Sequence, residues 1–167
     1  LQKGIYYVKI YKDKVIKMET WSNTYPRPQF KRDSFYSLNG EWTLNGQNII
    51  VPYPPQSSLS QYHGEITEQL QYQKTFTLPS DFYKKDDRII LHFGAVDQIA
   101  KVSINHHELG EHQGGYLPFS FDITDFIKED NNLIVDVIDT LSHDYPYGKQ
   151  RKDRGGMWYT PVSGIWQ

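Results

Sequence analysis

The residues best suited to bind something lie near the C-terminal end of the sequence, in the charged and aromatic stretch from His143 to Trp158. Tyr145, Tyr147, Lys149, Arg151, Arg154 and Trp158 fall within it, and Trp166 follows after a Ser-Gly turn. A pyranose is held by a ring beneath its apolar face and by hydrogen bonds to its hydroxyls, which apolar walls with a few polar groups provide. Tyr, Trp and Arg are also the residues that protein interfaces concentrate. The stretch therefore reads first as an interface with a partner domain, second as a contribution to a sugar pocket, and last as a plain loop.

Catalytic alternatives are poorly supplied. Glycosidases need two facing carboxyl groups about 5 to 10 Å apart, whereas Asp97, Glu108, Glu111, Asp122 and Asp139 flank strand-like runs where turn capping or a solvated edge is the ordinary role. Of the histidines His63, His92, His106, His107, His112 and His143, the adjacent pair would point to opposite faces of a strand, so it chelates poorly. No GxSxG elbow is present, and the glycine pairs 114–115 and 155–156 lack the Lys-Ser/Thr and helix of a phosphate loop. No catalytic residue, metal ligand or cofactor is expected.

Composition narrows the partners. The chain has 167 residues, enough for one ordinary domain, and a net charge of −2, so it lacks the basic field that nucleic acid requires. It has no cysteine, so stability must come from the core. No apolar run approaches the ~20 residues that span a bilayer, and no signal-peptide core is visible, so the reading is a soluble chain of open compartment. Aromatic residues make up 15%, with 13 Tyr, 8 Phe and 4 Trp, which favours strands over helices.

The elements that must position the aromatic stretch are read from alternation. Ile89, Leu91 and Phe93, then Ala100, Val102 and Ile104, then Leu133, Val135 and Val137 recur at every second position, the period of a strand with one buried face. Trp42 and Leu44 precede Asn45-Gly46, a strong hairpin signal, and Leu70, Tyr72, Lys74, Phe76 and Leu78 make a longer strand. A second reversal is expected at Asn105-His106-His107, with bends at Gly110 and Gly114-Gly115. Residues 123–127 suggest one helical turn capped by Asp122 or Thr124. The prolines at 52, 54 and 55 open a polar loop long enough to cross between sheets, which argues for a sandwich. After residues 140–156 the sequence MWYTPVSGIWQ returns to an aromatic strand. A domain rarely finishes on an exposed Trp after a Ser-Gly turn, so the chain reads as cut from a longer protein, tested by whether its last strand lacks a partner or a buried position.

LNGEW (38 to 42), VPYPPQ (51 to 56), YQKTFTLP (72 to 79), LHFGAVDQIAKVSINHHELGEHQGGYLPFSFDIT (91 to 124), NNLIVDV (131 to 137) and PVSGIW (161 to 166) resemble, in order, the N-terminal sugar-binding domain of glycoside hydrolase family 2, the beta-galactosidase and beta-glucuronidase group. The resemblance covers residues 32–167 and leaves 1–31 as an arm or edge segment. It implies an all-β, galactose-binding-like jelly-roll sandwich. It also implies partners within a parent chain: an immunoglobulin-like domain and a TIM barrel carrying two catalytic glutamates. Members commonly have Asn-Gly after the Val-x-Ile strand, whereas His106 follows Asn105 here, which strains the tightest turn. The expected function is that of a non-catalytic domain packing on the catalytic one and shaping its sugar pocket through residues 143–158; the alternative is a free-standing carbohydrate-binding module or lectin.

Overall fold

The computed structural model describes residues 34–167 apart from Lys85 and Arg154; the expected N-terminal arm lies outside the described residues. The strands are β1 (Gly40–Leu44), β2 (Gln47–Val51), β3 (Gln69–Phe76), β4 (Ile90–Phe93), β5 (Val96–Asp97), β6 (Ile99–Ile104), β7 (His107–Gln113), β8 (Phe119–Asp122), β9 (Asn131–Ile138) and β10 (Gly164–Ile165). One antiparallel sheet runs in the order β2-β1-β3-β9-β6-β7, and two shorter pairs, β4-β8 and β5-β10, complete an all-β sandwich.

The alternation sorts the side chains as expected. Leu70, Tyr72 and Phe76 of β3, Val102 and Ile104 of β6, and Leu133, Val135 and Val137 of β9 face inward and meet Leu91 and Phe93 of β4, Val96 of β5 and Ile165 of β10 in one core. The outer face of the large sheet is polar, with Gln71 and Gln73 of β3 donating to Asp136 and Asn132 of β9 at 2.8 Å. This cross-strand register is fixed by burial: a slip of one residue would turn the inner row into water.

Both hairpins form where the turn residues place them. Asn45 and Gly46 have φ of 48° and 79°, the pattern of a two-residue turn matched to strand twist. Asn105 and His106 do the same at 51° and 71°, so a histidine occupies a left-handed position. That conformation costs an L-residue about 1–2 kcal/mol. His106→Gly is expected to raise the stability by about 1 kcal/mol, visible as a few degrees in thermal denaturation; an unchanged or lower melting temperature would count against this strain. Asn105 stays, because its amide donates to the Phe126 carbonyl at 2.8 Å and to Asn131 Oδ1 at 2.9 Å.

Three expectations change. The loop after Pro52 does not cross between sheets: β2 and β3 flank β1 in the same sheet, and the loop instead drapes over the core edge, burying Ser60 and Tyr62. Gly110 is not a bend between strands but a bulge inside β7, where the pairing shifts by one residue between Val102 and Ser103. A side chain there would crowd Phe121, 3.1 Å away, so the bulge lets the edge strand close over the β4-β8 pair. The aromatic strand near the C-terminal end is only Gly164–Ile165, buried and paired with β5, and Trp166 is half-buried with its indole N–H donating to the Gly115 carbonyl at 2.8 Å. The last strand thus has both a partner and a buried position, contrary to expectation. The single turn at Thr124–Phe126 does form, and Asp122 secures it by accepting the Thr124 N–H at 3.0 Å. Among the described residues no helix is long and apolar enough to cross a membrane.

Candidate functional site

The aromatic stretch lies in the connection from β9 to β10, whose described residues form no regular strand beyond an isolated parallel bridge between Gln150 and Tyr159. Gly156, at φ 58°, turns the chain back, and the Trp158 N–H donates to the Gly155 carbonyl at 3.2 Å. The returning limb is then zipped to the outgoing one: the Tyr159 N–H donates to the Lys149 carbonyl at 2.7 Å and the Arg151 N–H to the Tyr159 carbonyl at 3.2 Å. Lys149, Gly155, Gly156, Met157, Trp158 and Tyr159 consequently line a shallow hollow of about 550 Å3.

The hollow brings together only part of the expected set. Lys149 and Trp158 line it, and the Arg151 guanidinium lies 5.3 Å from the Trp158 ring, a cation–π contact that holds the indole at the rim. Tyr147 turns away to His143, its hydroxyl 2.9 Å from Nδ1. Tyr145 is half-buried elsewhere in the loop, and Arg154 lies outside the described residues. Trp166 packs edge-on to Tyr116 at 6.4 Å and is not among the residues lining the hollow.

The sequence reading missed two exposed apolar members, Met157 and Tyr159, each with 66% of its surface exposed. Their signal was available, since they flank Trp158. It also missed the polar layer beneath. Gln150 is buried, its Oε1 accepting the Val162 N–H at 2.6 Å, and it faces the Asp97 carboxyl and the Tyr116 hydroxyl. Burial pushes the Asp97 carboxyl up to about 7, the nearby charge of Asp139 adding to the shift and Gln150 opposing it. Burial likewise raises Asp139, while the Leu141 N–H it accepts pulls the other way.

Chemically, the arrangement can stack and donate hydrogen bonds, since the described residues lining the hollow carry no carboxylate or imidazole. Asp97 and Asp139, the two acids that burial raises, are not among the residues lining the hollow. Among the described residues no cluster of three metal-ligating side chains gathers.

Residues 37–167 match the family model described as glycosyl hydrolases family 2, sugar binding domain. A beta-galactosidase of Thermoanaerobacter pseudethanolicus is 42% identical over 74 residues, 43% of this chain and 10% of the relative. A beta-glucuronidase of Formosa agariphila is 43% identical over 68 residues, 40% of this chain and 7% of the relative. Among solved structures, the beta-glucuronidase of Bifidobacterium dentium complexed with coumarin-3-O-glucuronide superposes with a TM-score of 0.51 at 28% identity, over 60% of this chain and 19% of that one. A Ruminococcus gnavus beta-glucuronidase shares the fold with a TM-score of 0.59 at 22% identity, over 78% of this chain and 27% of that one. The matched stretches thus cover a tenth or less of these curated relatives' length. With the family motif spanning the whole sandwich and its C-terminal loop, this chain belongs to the sugar-binding domain family of the family 2 glycosyl hydrolases.

Proposed function

We propose that residues 32–167 are the non-catalytic sandwich of a longer family 2 glycosidase that hydrolyses O-glycosyl bonds through a catalytic domain elsewhere in the parent chain. Its rim, Lys149 to Tyr159, packs on that domain and closes one side of its sugar pocket, with an immunoglobulin-like domain as a further neighbour. The observation that carries this reading is the hollow itself: exposed Met157 and Tyr159 beside Trp158 and Lys149, with no carboxylate among its described lining residues. Such a surface supplies contact area and hydrogen-bond donors, but its described lining residues lack the facing pair of carboxyl groups that glycoside hydrolysis ordinarily uses. The relatives, a beta-galactosidase and a beta-glucuronidase, support the substrate class without choosing within it.

Exposed Tyr159 and Met157 also suit a free-standing carbohydrate-binding module, and titration calorimetry separates the two readings. The chain alone should give no saturable heat with galactosides, glucuronides or mannosides, because half of its pocket belongs to another domain. Saturable binding lost in Tyr159→Ala would establish the binding module instead. That substitution should leave the stability within about 0.5 kcal/mol of the parent, since the ring is largely in water.

A further inference from the structure

Asp97, at the end of β5, has only 3% of its surface exposed and is enclosed by pieces of chain distant in sequence. Gly164 of β10 pairs with it. The Gly115 backbone lies on its carboxyl so closely that a methyl there would fall 2.6 Å from Cγ and overlap Oδ1. Neighbouring Gln98, also buried, accepts the Gly114 N–H at 2.9 Å. Gln150 closes the remaining side from the loop at 140–163. The loop is tied to the rest of the sandwich through side chains, Gln56 to Ser163 at 2.8 and 3.2 Å and Lys152 to Glu68 at 2.7 Å, while its Gln150–Tyr159 bridge is internal to it. Segments with few backbone bonds open first.

The titratable groups facing Asp97 are Asp139, just beyond β9, and Tyr116, between β7 and β8. Glu68, before β3, and Lys152, in the loop, face Asp139 in turn and pair with each other at 2.7 Å. We propose that Asp97 is a pH-sensitive latch on the 140–163 loop: neutral, it lets Gln150 close the loop over β5 and β10, and ionised, it draws in water and opens it. The latch concerns the order of the loop alone, so it stands or falls independently of what the rim binds.

The direction follows from linkage. The carboxyl, raised to about 7 in the closed loop, returns toward its ordinary value of 3.8 once hydrated. Between these values opening releases a proton, so it is favoured by up to about tenfold per pH unit and levels off above about pH 7. Hydrogen exchange from pH 4.5 to 8, corrected for intrinsic rates, reads this at the amides of Arg151, Tyr159 and Val162. Their protection should fall with pH and then flatten near 7, while the amides of Tyr72 and Val135 in the large sheet hold theirs. Asp97→Asn should abolish the slope. Asp139→Asn, which removes the like charge, should make it flatten at a lower pH. Flat protection in the parent, an unchanged slope in Asp97→Asn, or an equal loss at Tyr72 and Val135 would overturn the latch. Should Asp97→Asn fail to fold, an unchanged flattening point in Asp139→Asn overturns it alone.

Discussion

Replacing Gly164 by alanine should destabilise the sandwich by about 2–5 kcal/mol, the sum of overpacking and a left-handed backbone. Gly164 has φ +81°, and the methyl would overlap the Tyr72 hydroxyl and lie 2.8 Å from its Cζ. Tyr72 cannot yield, because it is fully buried in the centre of β3, flanked by β1 and β9. Its hydroxyl already sits against the Ile165 backbone without a well-formed hydrogen bond, and burial raises its pKa. Tyr72→Phe in the same chain should recover part of the loss, because the atom nearest the methyl is gone. Urea denaturation of the single and double variants measures both, and a Gly164→Ala chain within about 0.5 kcal/mol of the parent would show that β10 does not press on the core.

The second large effect is expected at Asn131, which is buried at the start of β9. Its side chain accepts from the Lys128 N–H and the Asn105 amide at 2.9 Å each, and donates to the carbonyls of Lys128 at 2.9 Å and Phe76 at 3.3 Å. Asn105 in turn accepts the Asn132 N–H at 2.9 Å. Two turns and the end of β3 are thus held by one satisfied polar network. Asn131→Ala strips partners from several buried groups at once and should cost about 3 kcal/mol, more than one hydrogen bond would. Thermal denaturation checks it; a loss below about 1 kcal/mol would mean that water replaces the amide.

Alternating strands are legible in the sequence, whereas the seat of Gly164 is not. Alternation at Leu70–Tyr72 and Leu133–Val135–Val137 announces strands because side-chain period and burial are local properties. The left-handed Asn45-Gly46 pair announces its hairpin for the same reason. What is not local stays hidden. Gly164 against Tyr72, Gly115 against Asp97, and Gln150 between Asp97 and Val162 are contacts across long separations, each decided by how the small strand pairs sit on the large sheet. The loop after Pro52 is long enough for a sheet crossing, yet burial of Tyr62 on the core edge uses that length otherwise.

The candidate site divides along the same line. Trp158, Arg151 and Lys149 stand out by residue type, and the turn at Gly155-Gly156 brings them to one rim. Tyr145, Tyr147 and Trp166 share their chemistry but not their place, because His143 captures Tyr147 and the Gly115 carbonyl captures Trp166. Met157 and Tyr159 gain their prominence only when the returning limb pairs with Lys149 and Arg151.

The central claim, that this sandwich supports sugar chemistry without performing it, is tested most directly by incubating the purified chain with nitrophenyl β-galactoside and β-glucuronide. The account predicts release of nitrophenol no faster than in buffer, since the described residues lining the rim present no pair of carboxyl groups. Turnover above buffer that survives repurification and saturates with substrate would contradict it.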